Sequence, residues 1–288
     1  MKARVGDATF NINWRNDNGF TPLHAACEAA QLAVILILLR VPKIDVNLPA
    51  KTGATPFFMA SLKGHRDVVA LMMSFPRVDI NKPQTEGATP LFVACQKGLK
   101  ELVYLFLGDP RTQPNLAMMD GGTPFLMACQ KGHKEVVALM MTDQRVDLNL
   151  ATKRGHSPFF AACQSGHKEV VSLLLANPKV DVNQTNKDNT SPLWIATQEG
   201  YLPVVQLVLL SGRDIDITKK STFTNTTAAE HGRNLASKPK VDGEGEADFL
   251  RKRKFGPVIA DLIEAFAKDP QAVREQLKKE LGQTTQTK

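Results

Sequence analysis

Tyrosine and tryptophan are scarce in this sequence of 288 residues, two of each, and cysteine is limited to four. So few large aromatics, none interleaved with the lysines, leave no base-stacking platform for nucleic acid. Four cysteines in a chain this long do not make a disulfide framework, and reduced thiols are expected. No apolar run is long either. The longest, Leu32–Leu39, falls far short of the ~20 residues that cross a bilayer. The start, MKARVGDATFNIN, has two basic residues but no apolar stretch behind them, unlike a secretory signal. A glycine-rich phosphate loop, HExxH and GxSxG are all missing, so the familiar nucleotide, zinc-protease and serine-hydrolase signatures are excluded. These absences predict a soluble, intracellular, non-membrane protein with no catalytic residue, no metal and no cofactor.

What is present is ordinary globular usage, 43% hydrophobic and 23% charged, enough for one large domain or two smaller ones. The formal charge of +7 is a mild excess, well below that of a dedicated nucleic-acid binder. The dominant feature is a repeat. Thr21, Thr55, Thr89, Thr123, Ser157 and Ser191 recur every 34 residues, each followed by Pro. Asn13, Asn47, Asn81, Asn115, Asn149 and Asn183 form a second column with the same period, and Gly64, Gly98, Gly132, Gly166 and Gly200 a third.

Local chemistry assigns each row. Thr or Ser is an N-cap and the following Pro suits the first helical position, so a short helix starts near Pro56 in the second row. Gly64 ends it by taking the left-handed conformation. A second helix follows in HRDVVALMMSF, where Val68, Val69, Leu71 and Met72 form an apolar stripe, and Pro76 stops it. RVDINKPQTEGAT then carries turn residues of an extended or hairpin-like connection. One row of 34 residues cannot offset its own chain entropy, so the rows must stack and bury each other's faces.

GFTPLHAAC (Gly19–Cys27), GATPLFVAC (Gly87–Cys95), GHKEVVALM (Gly132–Met140) and VDVN (Val180–Asn183) resemble the ankyrin repeat. The resemblance covers Asn11–Leu210 in six rows. It implies an all-α solenoid, an ankyrin stack of helix-turn-helix units with projecting hairpin loops, about six full repeats plus a degenerate C-terminal cap. It also implies a non-catalytic protein-protein interaction scaffold or adaptor. Two departures stand out. Each row is one residue longer than the family's usual repeat, through segments such as VPKI (Val41–Ile44), FPRV (Phe75–Val78) and NPKV (Asn177–Val180), which should lengthen a turn and leave the stack intact. The histidine of TPLH, which bonds across repeats in the family, survives only as His24. Phe58, Phe92, Leu126, Phe160 and Trp194 replace it and are expected to supply cohesion by packing.

The expected organisation is an N-terminal partial repeat or cap over 1–13, six repeats over 14–212, and a degenerate capping repeat over 213–288 with a charged insertion and a terminal helix. NTTAAEHGR (Asn225–Arg233) reads as a degenerate first helix and Ser237–Asp248 as a flexible charged linker. Phe255–Phe266 resembles a second helix with an interruption before it, and Asp269-Pro270 caps a final amphipathic helix over 271–281. A separate helical appendage is the alternative for 213–288, and further repeats upstream are an alternative to an N-terminal cap.

Cys129 and His133, four apart, suggest a thiol–imidazole site. Yet Cys27, Cys95, Cys129 and Cys163 share one repeat position, as do His65, His133 and His167. Helices in contact lie ~8–10 Å apart, too far for a shared zinc or a disulfide, and the pairing is lost where Cys95 meets Leu99 and Ser61 meets His65. Architecture is therefore the expected role. Asp45, Asp79, Asp147 and Asp181 likewise read as turn formers.

The resemblance places partner contacts at the hairpin tips and the ends of the first helices. Row by row these are Phe20; Lys51, Leu62 and Lys63; Glu86, Gln96 and Lys97; Met119, Asp120, Gln130 and Lys131; Lys153, Arg154, His156 and Gln164; and Lys187, Asp188 and Gln198. Ala54, Ala88, Gly122 and Thr190 are further tip positions. Lys63, Lys97 and Lys131 make a column of like charge spaced by about one Debye length, and Lys153, Arg154 and His156 extend the positive character of the concave side. The expected partner is another protein with an acidic or phosphorylated segment, bound by a monomer. Nucleic acid or another polyanion on the same basic face, and a structural fragment of a longer array, are the rival readings. Arg251–Lys254 suggests nuclear import, but a solvated stretch in a linker is the preferred reading, which leaves the protein cytoplasmic.

Overall fold

The computed structural model describes residues 11–282, so most of the partial repeat predicted at 1–13, Phe10 included, lies outside the described residues. Among them all regular structure is α-helical. The predicted cap-and-proline starts are seen directly. The Thr55 hydroxyl accepts from the Phe58 amide at the head of α3 (Pro56–Lys63), and Gly64 closes that helix at φ 78. Thr89, Ser157 and Ser191 cap α5 (Pro90–Gln96), α9 (Pro158–Ser165) and α11 (Pro192–Gln198) in the same way.

Two compact units are resolved by their backbone contacts, Met1–Phe125 with Leu139–Val146, and Leu126–Ala138 with Asp147–Lys288. In the first, α1 (Pro22–Glu28), α3 and α5 pack in one layer, and α2 (Leu32–Arg40), α4 (Arg66–Met73) and α6 (Lys100–Gly108) in the other. Phe57, Phe92, Phe106, Val69 and Met72 fill the space between, with Phe57 edge-on to Phe106. The division between units runs through α7 (Pro124–Lys131) and α8 (Lys134–Met140). In the second unit α9 packs on α11, and α10 (Lys168–Ala176) on α12 (Leu202–Leu210), around Phe159, Phe160, Val171, Leu174 and Val205.

Two polar columns sew successive rows together. Within each unit the asparagines of the 34-residue column reach the next row, and Asn13, Asn47, Asn81, Asn149 and Asn183 do so with both ends of the amide. Asn81 donates through Nδ2 to the Arg111 carbonyl at 2.8 Å and accepts through Oδ1 from the Gln113 amide at 2.9 Å. Asn47 does the same to Arg77 and Asp79, and Asn183 to Asp214 and Asp216. The second column lies in the segment that lengthens the rows. Arg77 donates to the Leu39 carbonyl at the end of α2, Arg111 to Met73 of α4 at 2.6 Å, and Arg145 to Leu107 of α6 at 2.7 Å. A guanidinium on the last carbonyls of a helix satisfies orphan acceptors and complements the helix dipole. The extra residue thus adds a cross-row clamp as well as a longer turn.

His24 behaves as the resemblance implies, with Nε2 donating to the Ala54 carbonyl at 3.0 Å while Nδ1 accepts from the Thr21 amide. Its replacements Phe58, Phe92 and Phe160 are buried. Trp194 is buried too, and it also restores a bond across rows, since Nε1 donates to the Thr226 carbonyl at 3.1 Å.

At the C-terminal end, α13 (Ala228–Asn234) packs on α11 and on α14 (Glu246–Lys268), and α15 (Pro270–Glu280) packs on α12 and α14. Asp269 caps α15 as expected. The expected linker carries no helix up to Gly245, and the interruption expected before Phe255 is corrected. Helix α14 begins within Ser237–Asp248 and continues through Pro257, because one face, Gly256, Ile259, Ala260, Ile263 and Phe266, is buried continuously. The crossing of α13 and α14 depends on two glycines, for a Cβ on Gly232 would lie 2.7 Å from the Gly256 carbonyl oxygen and one on Gly256 2.6 Å from that of Gly232.

Candidate protein-interaction surface

Each hairpin tip turns on a residue with positive φ. At Gly53, φ 78, a Cβ would sit 2.5 Å from the Thr85 amide nitrogen, so only glycine lets adjacent tips approach. Within each unit, consecutive tips are joined by a backbone bond. In the first unit Lys51 donates to Asn18, Thr85 to Thr52 and Met119 to Glu86, and in the second Lys187 donates to Arg154 and Thr222 to Asp188, all between 2.8 and 3.1 Å. Backbone groups are thereby used up within the ribbon of tips, and side chains are left to project.

Those side chains divide by exposure. Lys51, Glu86, Met119, Asp120, Lys153, Arg154, Lys187 and Asp188 are exposed. Phe20 and His156 are half-buried and stack on His24 and Phe160, with ring centroids 5.3 and 4.6 Å apart. Four further tip positions are corrected. Ala54, Ala88, Gly122 and Thr190 are buried beneath the tip, where the Ala54 carbonyl serves His24 and the Thr190 hydroxyl donates to Ser221.

At the ends of the first helices Lys63, Gln96, Lys97, Gln130 and Lys131 are exposed, whereas Leu62, Gln164 and Gln198 are half-buried. The lysine column is not electrostatically uniform. Lys63 pairs with Glu28 at 3.0 Å and the Lys97 ammonium donates to the Leu62 carbonyl at 2.7 Å. In the second unit Lys131, Lys153, Arg154 and Lys187 are in no ion pair among the described residues. Nearby, burial holds the His156 imidazole below its ordinary range, with Arg154 adding to the effect.

The thiol–imidazole columns belong to the core. Cys27, Cys95, Cys129 and Cys163 are fully buried. Burial pushes the Cys27 thiol up to about 12 and raises those of Cys95 and Cys163 as well. Neutral thiols of this kind are poor nucleophiles and poor metal ligands. His65 donates through Nε2 to the Glu28 carbonyl and His167 to that of Gln130, so the histidines that open the second helices tie neighbouring rows together.

The basic run also moves out of the linker. Arg251 lies in α14, 4.4 Å above the Tyr201 ring, and donates to the Glu199 carbonyl. Lys252 bridges Glu199 at 3.0 Å and Glu244 at 3.2 Å. Half of the run is therefore committed to holding α14 against α11, which a solvated stretch would not be.

These features define a repeat protein that, in each unit, presents side chains from a hydrogen-bonded ribbon of hairpin tips. The sequence matches the family of ankyrin repeats (3 copies) over 5–84, 35–120, 71–152, 91–186 and 125–221, and the chain belongs to the ankyrin repeat family. No curated protein matches it. Among solved structures its fold is similar to that of the ankyrin repeat domain of Bcl-3, a unique member of the IkappaB protein family, at 24% identity and a TM-score of 0.66, covering 74% of this chain and 94% of that one. It is also similar to the human ASB11 ankyrin repeat domain at 22% identity and a TM-score of 0.61, covering 81% and 98%. Ankyrin repeats are general protein-interaction modules and generally non-catalytic scaffolds. No helix among the described residues is long and apolar enough to cross a membrane.

Proposed function

We propose that the protein is an intracellular adaptor whose second unit captures an acidic or phosphorylated segment of a partner protein through Lys131, Lys153, Arg154 and Lys187. The observation that supports this is that these four cations are in no ion pair among the described residues, beside the single acidic contact position Asp188. The first unit offers a more balanced set, since Lys63 and Lys97 are engaged and Glu86 and Asp120 stand among the contact positions. We read 213–288 as the capping repeat, supported by the packing of α13 on α11 and of α14 on α12.

A photo-crosslinking residue at position 153 in the full chain should capture a partner from lysate whose joined peptide is acidic or phosphorylated. Lys131→Glu with Arg154→Glu should abolish that capture without changing the melting temperature. Undiminished capture by the double variant would remove the proposal. A salt series on a DNA duplex and on a single strand tests the polyanion reading, because phosphate contacts give steep slopes.

A further inference from the structure

Between α13, the hairpin at 221–226 and the segment that leads into α14 lies a cavity of about 220 Å³, wholly within the second unit. Its walls are apolar, with Phe223, Leu235, Pro239, Val241 and Phe249 contributing side chains. Its floor holds His231, only 3% exposed, whose Nε2 is buried with no hydrogen-bond partner. That ring also lies against Trp194, with centroids 4.1 Å apart and planes tilted by 41°. Burial first, and then the charge of Lys238, push the His231 imidazole down to about 4, so at neutral pH it is an uncharged hydrogen-bonding group.

The rim is positive. Lys238 and Arg253 line it and are in no ion pair among the described residues, while Lys252 is neutralised between Glu199 and Glu244. A dry cavity of ~150 Å³ accommodates a benzene ring, so this one suits a single large side chain. Two of the lining side chains are themselves left largely open to solvent, Phe223 87% and Val241 69% exposed. A free small acid would fill the cavity and leave that surface wet, whereas a peptide covers it.

We propose that this cavity is a second binding site, taking one aromatic or branched side chain of a partner peptide with a carboxylate beside it at Lys238 and Arg253. The site adjoins the last hairpin of the ribbon and shares Gln198 with the first-helix contact positions, but none of Lys131, Lys153, Arg154 and Lys187 lines it.

The test uses the full chain with Trp14→Phe. Trp14 is exposed and lies in the first unit, so its removal leaves Trp194, against His231, as the one indole of the chain. Emission is titrated with acetyl-Gly-Glu-Phe-Glu-Gly-amide, with its Lys-Phe-Lys counterpart and with 3-phenylpropionate. The acidic peptide should give a saturable change at a Kd at least ten-fold below that of the basic peptide. Lys238→Glu with Arg253→Glu should reverse that order at unchanged melting temperature, and Lys131→Glu with Arg154→Glu should leave the titration as it was. The proposal is overturned by no saturable change, by equal affinity for both peptides, or by 3-phenylpropionate binding as tightly as the acidic peptide.

Discussion

Replacing Asn81 by alanine removes two hydrogen bonds to the following row, to the Arg111 carbonyl and from the Gln113 amide. Each such bond contributes a net ~0.5–1.5 kcal/mol. Gln113 is exposed and its amide can turn to water, while the Arg111 carbonyl is half-buried and less easily rehydrated. The expected loss is therefore about 2 kcal/mol, which for a chain of this size corresponds to a fall of ~4–8 °C in melting temperature. Because stacked repeats unfold as coupled neighbours, the sharper assay is site-resolved hydrogen exchange. The Gln113 amide should lose protection in Asn81→Ala, whereas the Asp45 amide, held by Asn13, should keep it. Asn81→Asp separates the two halves of the interaction. It retains an acceptor for Gln113 but sets a carboxylate against the Arg111 carbonyl, so Gln113 protection should survive while stability falls. A change below ~0.5 kcal/mol in the alanine variant, with Gln113 exchanging as in the parent, would refute the view that this column clamps one row to the next.

Further outcomes follow from the core and its charges. Gly232→Ala gains up to ~1 kcal/mol in helix propensity but drives a methyl group into the Gly256 carbonyl and Thr197, and overpacking costs ~1–3 kcal/mol. A net loss in a melt of the second unit is expected, and a stabilised variant would show that the helices separate freely. At pH 8 Cys27, Cys95 and Cys163 should resist a disulfide reagent in the native protein and react at once in denaturant, since burial keeps them protonated; rapid native labelling would place them in solvent. The Asp109 and Asp143 carboxyls are held below their ordinary range, chiefly by hydrogen bonds from Arg111 and Arg145. Their folded pKa values lie below the unfolded value of ~3.9, so their contribution is complete above that pH and disappears as pH falls through the folded values. Asp109→Asn with Asp143→Asn should lower stability at pH 7 by about 1 kcal/mol and flatten its decline below pH 4, as followed by urea midpoints across pH. An unchanged acid slope would contradict the linkage.

The repeat was legible because its signals are local. Thr55-Pro56 defines a helix start and Gly64 a helix end through backbone chemistry that needs no neighbour. The second helix shows its buried face in the spacing of Val68, Val69 and Met72. The asparagine column was equally visible as a period, yet its role as a two-ended clamp was not, for nothing near Asn81 in sequence reveals that its partners stand thirty residues on. Arg77, Arg111 and Arg145 recur at the same spacing, and their partners are equally far along the chain. Of the contact positions, Lys63 and Lys97 look alike in sequence, and only their neighbours Glu28 and the Leu62 carbonyl distinguish them from Lys131.

The C-terminal region marks where local reading ends. Pro257 and the glycines of GEGEAD argue for breaks, and helix α14 runs past Pro257 because its buried face outweighs one missing hydrogen bond. Gly232 and Gly256 form the contact that lets two helices approach, which neither residue's neighbours in sequence reveal. What the sequence by itself determined is the ankyrin row: its capped first helix, glycine turn, apolar second helix and hairpin, each encoded within about ten residues. Only the tertiary structure decided which charges remain free, which carbonyls the asparagines and arginines reach, and how the chain closes around Trp194 and His231. Those outcomes depend on groups brought together from distant rows, where distance and burial set the energy.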